Sequence, residues 1–161
     1  MIIKANLPLR LVTDASMLVA EILRRTGRVR LAHAELDLFV PEYTLDEAWH
    51  ELPKRIEHLA RHRSMTPAQR QNALRDAATA VDENVTVVPM SVYLPYESEA
   101  RWRIARDPRD WPTVALALAL GAGIWTEDSD FLGCGIATWT TSTLTQLLAI
   151  LDNDTPQPPT Q

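Results

Sequence analysis

Short apolar runs alternate with helical segments along this chain, and the alternation limits the folds that it can adopt. Five runs have the length and composition of buried strands: LRLVTD, LDLFVP, VTVVP, IWT and IATWTT. Segments with helical spacing or helix-capping residues lie between most of them. Because consecutive parallel strands need a long crossover, usually a helix, the sequence predicts an α/β fold with a mainly parallel sheet covered by helices on both faces.

Capping and breaking residues predict where the helices begin and end. The first helix, ASMLVAEILRRTG, is expected to end at Gly27. A second should begin at Thr44 and be kinked or broken at Pro53. A third, TPAQRQNALRDAATAVDE, has Thr66 as its N-cap and Pro67 in its first turn. PYESEARWRIA and STLTQLLAIL are predicted to be further helices.

The uncharged segment WPTVALALAL is compatible with either a strand or a helix. Its VALALAL part alternates with period two, as a strand does. Alanine, however, is depleted in strands and is the strongest helix former, and Gly121 follows as a natural C-cap. We therefore predict a buried helix from Trp111 to Leu120.

Length and composition indicate a single domain. The 161 residues suit one domain, predicted over residues 1–150, with a polar, proline-rich tail over residues 151–161. No apolar run approaches the roughly 20 residues that span a bilayer, and Cys134 has no second cysteine for an internal disulfide. The sequence thus predicts a cytoplasmic protein without a membrane segment. A net charge of −5 argues against a passive nucleic-acid-binding protein, which is usually basic.

Acidic residues are predicted to gather at one edge of the sheet. Asp14 ends the first strand, Glu47 lies in the first turn of the helix after the second strand, and Asp110 begins the buried helix. Asp128 and Asp130 follow the fourth strand. In an open parallel sheet, ligands bind beyond the carboxyl ends of the strands, so we expect these carboxylates to lie close together there.

Each carboxylate also has an ordinary structural explanation. Asp14 and Asp110 suit helix N-caps, Thr44 and Glu47 match a capping box, and Asp128 suits a turn. Carboxylates gathered at one edge nevertheless repel one another, and a bound divalent cation removes that cost; oxygen ligands favour Mg²⁺ or Mn²⁺. Such a site suits phosphodiester hydrolysis by one metal, or by two at about 3.5–4 Å from each other.

Two other kinds of site are weaker alternatives. His58 and His62 are four residues apart and share a helix face, but the sequence offers no evident third ligand for zinc. An aspartyl-phosphate enzyme of the haloacid-dehalogenase type needs Asp-x-Asp after the first strand and a lysine near the phosphate. Position 16 is instead Ser16, and neither Lys4 nor Lys54 falls at a suitable strand end.

The order and spacing of the acids resemble the PIN domain, the fold of many small metal-dependent ribonucleases. VTDAS resembles the opening D-x-S motif of that family, with Asp14 and Ser16, and PEYTLDEAW resembles its second acidic motif, with Glu47. DPRDWPTVALALAL resembles the third, with Asp110 before an alanine-rich helix, and TEDSDF resembles T-x-D-x-D-F, with Asp128. No single motif is very specific, but the four in this order are specific together.

The resemblance implies a three-layer α/β/α sandwich around a five-stranded, mainly parallel sheet, and a Mg²⁺- or Mn²⁺-dependent endoribonuclease. It implies that four acids are the metal-binding catalytic residues: Asp14, Glu47, Asp110 and Asp128. Asp130 would be an accessory ligand. Ser16 and Thr126 would orient ligands. Many bacterial members are VapC-type toxins, often homodimers blocked by an antitoxin, so RNA, an antitoxin and a second copy are the expected partners. The alternative is a PIN-fold protein that binds RNA or regulates without catalysis.

Arginine dominates the basic residues, because only two of the sixteen are lysines. Arginine binds phosphate well and would offset the repulsion between an acidic site and the RNA backbone. Arg106 and Arg109 flank the third acidic motif, so we favour them over Arg24 and Arg25 as substrate-binding residues. Asp107 is expected near the same edge without a catalytic role.

Overall fold

The computed structural model of the chain describes residues 8–154. Its strands are β1 Leu9–Thr13, β2 Leu36–Pro41, β3 Val85–Val88, β4 Gly123–Trp125 and β5 Thr138–Trp139. Its α-helices are α1 Ala15–Ile22, α2 Arg25–Leu31, α3 Glu42–Arg63, α4 Pro67–Asn84, α5 Met90–Tyr93, α6 Glu97–Arg103, α7 Trp111–Leu120 and α8 Thr141–Asp154. The predicted tail begins within α8, and its residues 155–161 lie outside the described range.

The five predicted strands form one parallel sheet, in the order β3-β2-β1-β4-β5. β1 lies at the centre, where Val12 pairs with Phe39 of β2 and Thr13 pairs with Trp125 of β4. Since all strands run in the same direction, their carboxyl ends lie at one edge of the sheet. The predicted parallel arrangement is confirmed.

Helices cover both faces of the sheet, because alternate residues of each strand point to opposite faces. Leu11 of β1 and Leu38 of β2 belong to a buried cluster with residues of α1, α3, α4 and α8. Val12 and Phe39, the next residues along these strands, belong to a second cluster with residues of α5, α6 and α7. The three-layer α/β/α sandwich is therefore confirmed.

α7 is the buried helix predicted from the alanine-rich segment. Every residue from Trp111 to Ala117 is buried, so the helix needs no charged face. It ends at Gly121, whose φ of +60° is a left-handed conformation that glycine adopts without strain. Among residues 8–154, no helix, α7 included, is both long enough and apolar enough to cross a membrane.

The first predicted helix is two helices, so the predicted end at Gly27 is wrong. α1 ends at Ile22, and Arg24, with extended backbone angles, precedes α2. The Arg28 guanidinium donates a hydrogen bond to the carbonyl oxygen of Ile22 at 2.9 Å, so an arginine rather than a glycine completes the end of α1. Gly27 lies inside α2, buried against the backbone of Glu21.

α3 begins at Glu42 and runs to Arg63, so the predicted start at Thr44 is wrong. Of the predicted kink or break at Pro53, the break does not occur. The Glu42 carboxylate accepts a hydrogen bond from the backbone N–H of Met90 at 2.6 Å. Negative charge in the first turn also favours a helix N-terminus. Pro53 is tolerated because it faces solvent, where water can bind the carbonyl group that its missing N–H leaves free.

The predicted start of α4 is confirmed in detail. Thr66 accepts a hydrogen bond from the backbone N–H of Gln69 at 3.2 Å, and the Gln69 side chain accepts one from the backbone N–H of Thr66 at 2.8 Å. This reciprocal pair is a complete capping box, with Pro67 in the first turn.

Gly27→Ala should destabilise the protein, although alanine is the better helix former. A Cβ atom at position 27 would overlap the carbonyl oxygen of Glu21, so α2 would have to move away from α1. We expect the free energy of unfolding in urea to fall by about 1–3 kcal/mol, the usual cost of overpacking. Thr26→Ala, at an exposed position of α2, is the matched control and should change it by less than about 0.5 kcal/mol. Wild-type stability in Gly27→Ala would contradict this close packing.

Candidate active site

A cavity of about 660 Å³ opens beyond the carboxyl ends of β1 and β4, where the strand order reverses. Six predicted site residues line it: Asp14, Ser16, Glu47, Arg109, Asp110 and Asp128. They come from four separate parts of the chain, namely the start of α1, the second turn of α3, the turn before α7 and the loop after β4. The fold thus brings the four predicted carboxylate ligands around one space.

Asp14 is the most deeply buried of these acids, with 8% of its surface exposed. Its Oδ1 accepts a hydrogen bond from the backbone N–H of Met17 at 2.6 Å, which caps α1. Its Oδ2 accepts a hydrogen bond from the hydroxyl of Thr126. Burial raises the pKa of Asp14 above its ordinary value, while the bonds from Thr126 and Met17 oppose that rise. The predicted capping role and a place at the cavity therefore coexist in one residue.

Thr126 joins the ends of the two central strands. Besides donating to Asp14, its oxygen accepts a hydrogen bond from the backbone N–H of Asp128 at 2.9 Å. Asp128 in turn accepts a hydrogen bond on Oδ1 from the backbone N–H of Asp130 at 2.8 Å, which starts a short 3₁₀ turn. Thr126 does not line the cavity, but it holds the carboxylate of Asp14 and the backbone of Asp128, two residues that do.

Asp110 is half-buried, and its pKa is strongly perturbed. Burial, followed by the charges of Asp107, Asp14, Asp128 and Glu47, raises its pKa to about 6. Although Asp110 occupies the N-cap position of α7, its side chain makes no capping hydrogen bond. Helix capping therefore does not account for this acid. Asp110 lies among the acids in and beside the cavity, which we call the acidic group, because the charges of four of them act on it.

Glu47 lies at the mouth of the cavity, on the exposed side of the second turn of α3. Because α3 begins at Glu42, the predicted capping box between Thr44 and Glu47 does not form. Burial raises the pKa of the Glu47 carboxyl, Arg109 lowers it, and Asp107 raises it. Glu47 thus faces both the acidic group and the one arginine that lines the cavity.

The donor set fits a hard divalent cation in its chemistry. Carboxylate and hydroxyl oxygens line the space, and the charges that raise the pKa of Asp110 would be relieved by a cation. Within residues 8–154, however, no three His, Cys, Asp or Glu side chains are close enough together to hold a metal ion. Both oxygens of Asp14 and one of Asp128 are engaged in hydrogen bonds. Each of these oxygens keeps a second lone pair for a cation, so it is the spacing of the acids that side-chain movements would have to change for a cation to bind.

The two arginines expected to bind substrate are both paired with acids. Arg109 lines the cavity and forms a fork with Asp107, at 2.8 and 3.0 Å. Arg106 pairs with Asp130 at 3.2 Å, and neither of these two residues lines the cavity. Asp107, which was expected near this edge without a catalytic role, is thus the partner of Arg109.

Other residues at the cavity had no clear signal in the sequence. Thr113 is buried and lies one turn after Asp110 on the cavity side of α7, a spacing that could have indicated it. Tyr43 and His50 line the cavity from α3. Glu127 lines it too, and its carboxylate accepts a hydrogen bond from the backbone N–H of Thr141 at 2.7 Å, at the start of α8.

Comparison with known proteins identifies the family. The sequence model of the PIN domain matches residues 12–149, most of the chain. The chain belongs to the PIN domain family. Proteins with this domain are generally nucleases and typically use divalent metal ions, which agrees with the acidic cavity.

A solved structure supports the fold of this PIN domain. The structure of this chain is similar to the crystal structure of PAE2754 from Pyrobaculum aerophilum, with a TM-score of 0.62 and 18% sequence identity. The similarity covers 88% of this chain and 96% of that one. Among curated protein sequences, none matches this PIN domain. At this level of identity, the structural likeness establishes the fold alone.

Thr126→Val should loosen the acidic group of this PIN domain. The variant leaves the Asp128 N–H without its acceptor and removes the hydrogen bond that lowers the pKa of Asp14. We expect stability to fall by about 1–3 kcal/mol and the pKa of Asp14, followed by carboxyl NMR, to rise further.

The matched control is Thr13→Val, one residue before Asp14. The Thr13 hydroxyl is buried and has no hydrogen-bond partner among the described residues, so its removal should be neutral or stabilising. Equal losses of stability in the two variants would show that the Thr126 bonds have no special role.

Asp110→Asn should stabilise the metal-free protein at neutral pH. Because the folded-state pKa of Asp110 lies above 3.8, the folded protein binds this proton more tightly, and stability falls as pH rises from about 4 to 6. Solvent screening reduces the effect, so we expect a gain of about 1–2 kcal/mol at pH 7 and a flatter pH profile in urea unfolding. Asp82→Asn, at an exposed position of α4, should change neither the stability at pH 7 nor the pH profile of unfolding. A loss of stability at pH 7 in Asp110→Asn would contradict this account.

Proposed function

We propose that this PIN domain is a metal-dependent endoribonuclease that hydrolyses RNA phosphodiester bonds at the acidic cavity. The observation that carries the proposal is that four carboxylates, Asp14, Glu47, Asp110 and Asp128, line one cavity. Burial there, followed by the charges of the neighbouring acids, raises the pKa of Asp110 to about 6. Mutual repulsion among carboxylates from four parts of the chain is costly for a structural role. It is useful for holding a divalent cation, and the family supports that chemistry.

In this proposal, four acids hold Mg²⁺ or Mn²⁺: Asp14, Glu47, Asp110 and Asp128. Asp130, which does not line the cavity and pairs with Arg106, is an accessory ligand only after it exchanges that partner. When bound, the cation supplies positive charge that polarises the phosphodiester and acidifies the attacking water. Thr126 keeps the Asp14 carboxylate oriented, and Ser16, at the exposed start of α1, donates to an RNA oxygen.

Arg109 is the first candidate for a phosphate contact at the cavity. Its side chain is 87% exposed and already reaches over Asp107, so exchanging that partner for an RNA phosphate needs only a side-chain movement. Arg106, which is 68% exposed and paired with Asp130, is the second candidate.

Within the PIN domain family, we propose a VapC-type role. A single nuclease domain over residues 1–150 would act in the cytoplasm as a toxin, as a homodimer, and would be blocked by an antitoxin protein. The order of the four acidic motifs supports this role. A neighbouring gene that encodes a small DNA-binding antitoxin would favour it.

Asp14→Asn should reduce RNA cleavage by at least about a hundredfold, because several kcal/mol of charge stabilisation depends on the cation. The measurement is cleavage of a labelled RNA in Mn²⁺, in Mg²⁺ and in EDTA, where the wild-type protein should lose activity. Asp82→Asn, which removes an exposed acid of α4, should cleave as the wild-type protein does. Wild-type cleavage by both Asp14→Asn and Asp110→Asn would disprove the assignment.

A PIN-fold protein that binds RNA or regulates without catalysis is the second candidate function. The observation in its favour is that no three acids in the described part of the chain are held in a metal-binding arrangement. Thermal unfolding with added Mn²⁺ separates the two candidates. A catalytic site should show a rise in the unfolding temperature that Asp110→Asn reduces, whereas a non-catalytic protein should show no shift and no cleavage.

A further inference from the structure

A second groove, of about 400 Å³, lies beside the acidic cavity. Four arginines line it: Arg24 just before α2, Arg25 at the start of α2, and Arg55 and Arg63 on α3. All four are exposed. We call this surface the arginine groove.

In the part of the chain that the structure describes, the four side chains of the arginine groove lack close acidic partners, although the charges of Arg55 and Glu51 interact. None of them has a hydrogen bond or an ion pair with another residue in the range 8–154. The nearest acids on α3 are engaged elsewhere, since Glu51 binds Lys54 at 2.8 Å and Glu57 binds Arg70 at 2.8 Å. Four like charges in one groove, on a chain of net charge −5, form a ready site for an anion.

One ridge of α3 connects the groove to the acidic cavity. Side chains four residues apart lie one above another on a helix, and this ridge reads Glu47, Glu51, Arg55, Leu59 and Arg63. The first two line the acidic cavity, the last three line the arginine groove, and Ala20 of α1 lines both. The sign of the charge therefore inverts between Glu51 and Arg55, over one turn of α3 and a rise of about 6 Å.

Helix stability alone does not explain this pattern. The helix dipole favours acids near the N-terminus and bases near the C-terminus, but its effect is confined to the first and last turns. Arg63 lies in the last turn of α3, whereas Arg55 lies in its middle. Arg24 and Arg25 belong to a different part of the chain and still face the same groove.

We propose that the arginine groove binds the phosphate backbone of single-stranded RNA on one side of the bond to be cleaved. This proposal rests on the ribonuclease function proposed above. A chain whose phosphodiester lies among the acids has a continuous path along α3 into the groove. Arginine forks match phosphate geometry, and they would recover affinity that the acidic cavity loses. An acidic protein segment would also be attracted by the four arginines. Binding of such a segment would not explain why the groove continues into the acidic cavity.

The first test measures RNA binding without cleavage, in EDTA, by fluorescence anisotropy with a labelled single-stranded RNA long enough to cover both surfaces. Arg55→Gln/Arg63→Gln should weaken binding by about tenfold or more at low salt. The slope of log K against log salt should become shallower by about 1.4, or about 0.7 for each lost phosphate contact. Arg24→Gln/Arg25→Gln, on the opposite wall of the groove, should weaken binding and reduce the salt slope by similar amounts.

The matched control is Arg61→Gln/Arg75→Gln, which removes the same charge from exposed positions of α3 and α4 outside the groove. It should leave the affinity and the salt slope near wild type. Equal effects in groove and control variants would overturn the proposal, as would wild-type binding by the groove variants. Stronger binding of an oligoglutamate peptide than of RNA, lost in the groove variants, would assign the groove to a protein partner and also overturn it.

Cleavage kinetics separate a failure of the groove from a failure of the ribonuclease function. A dinucleotide is too short to reach the groove, so Arg55→Gln/Arg63→Gln should cleave it as the wild-type protein does. With the long RNA, the same variant should show a KM raised by about tenfold and a nearly unchanged kcat. An unchanged KM for the long RNA would overturn the groove proposal. Absence of all cleavage would overturn the ribonuclease function, while the binding measurement would still decide the groove.

Discussion

β1 lies at the centre of the sheet, hydrogen-bonded to β2 along one edge and to β4 along the other. Asp14 follows it directly, so this carboxylate is fixed at the point where the strand order reverses. Thr126, which follows β4, donates its hydroxyl proton to Asp14 and so ties the two strand ends together. Each remaining acid of the cavity is positioned relative to this junction by a different element packed on the sheet, which is why residues distant in sequence share one space.

Gathering these acids stores unfavourable free energy in the metal-free fold. Burial and mutual repulsion raise the pKa of Asp14, Glu47 and Asp110, whereas the pKa of Asp107 is lowered by its hydrogen bonds with Arg109. The arginine closest to the cavity is therefore already committed to an acid at its edge. A buried core of ordinary packing, including the fully apolar α7, compensates for this cost elsewhere in the molecule.

The sequence allowed the layers of the fold to be predicted, because strand burial, the buried helix α7 and the capping box of α4 depend on local pattern. It did not reveal the break between α1 and α2, since Arg28 caps α1 through a tertiary contact. The start of α3 depends likewise on the contact between Glu42 and Met90, distant in sequence. In the site, strand ends predicted which carboxylates would meet. They could not predict the pairing of Arg106 with Asp130, because ion pairs depend on rotamers and spacing in the folded protein.

The inversion of charge along α3 shows why the acidic composition of the chain does not exclude RNA binding. A net charge of −5 suggests weak attraction for RNA, but net charge describes the far field, whereas binding depends on the local distribution. At physiological ionic strength, screening acts over about 8 Å. The two ends of the ridge, Glu47 and Arg63, lie about 24 Å apart along α3, so they are nearly independent electrostatically. One end can attract a cation while the other attracts phosphate, and a single rigid helix sets the distance between them.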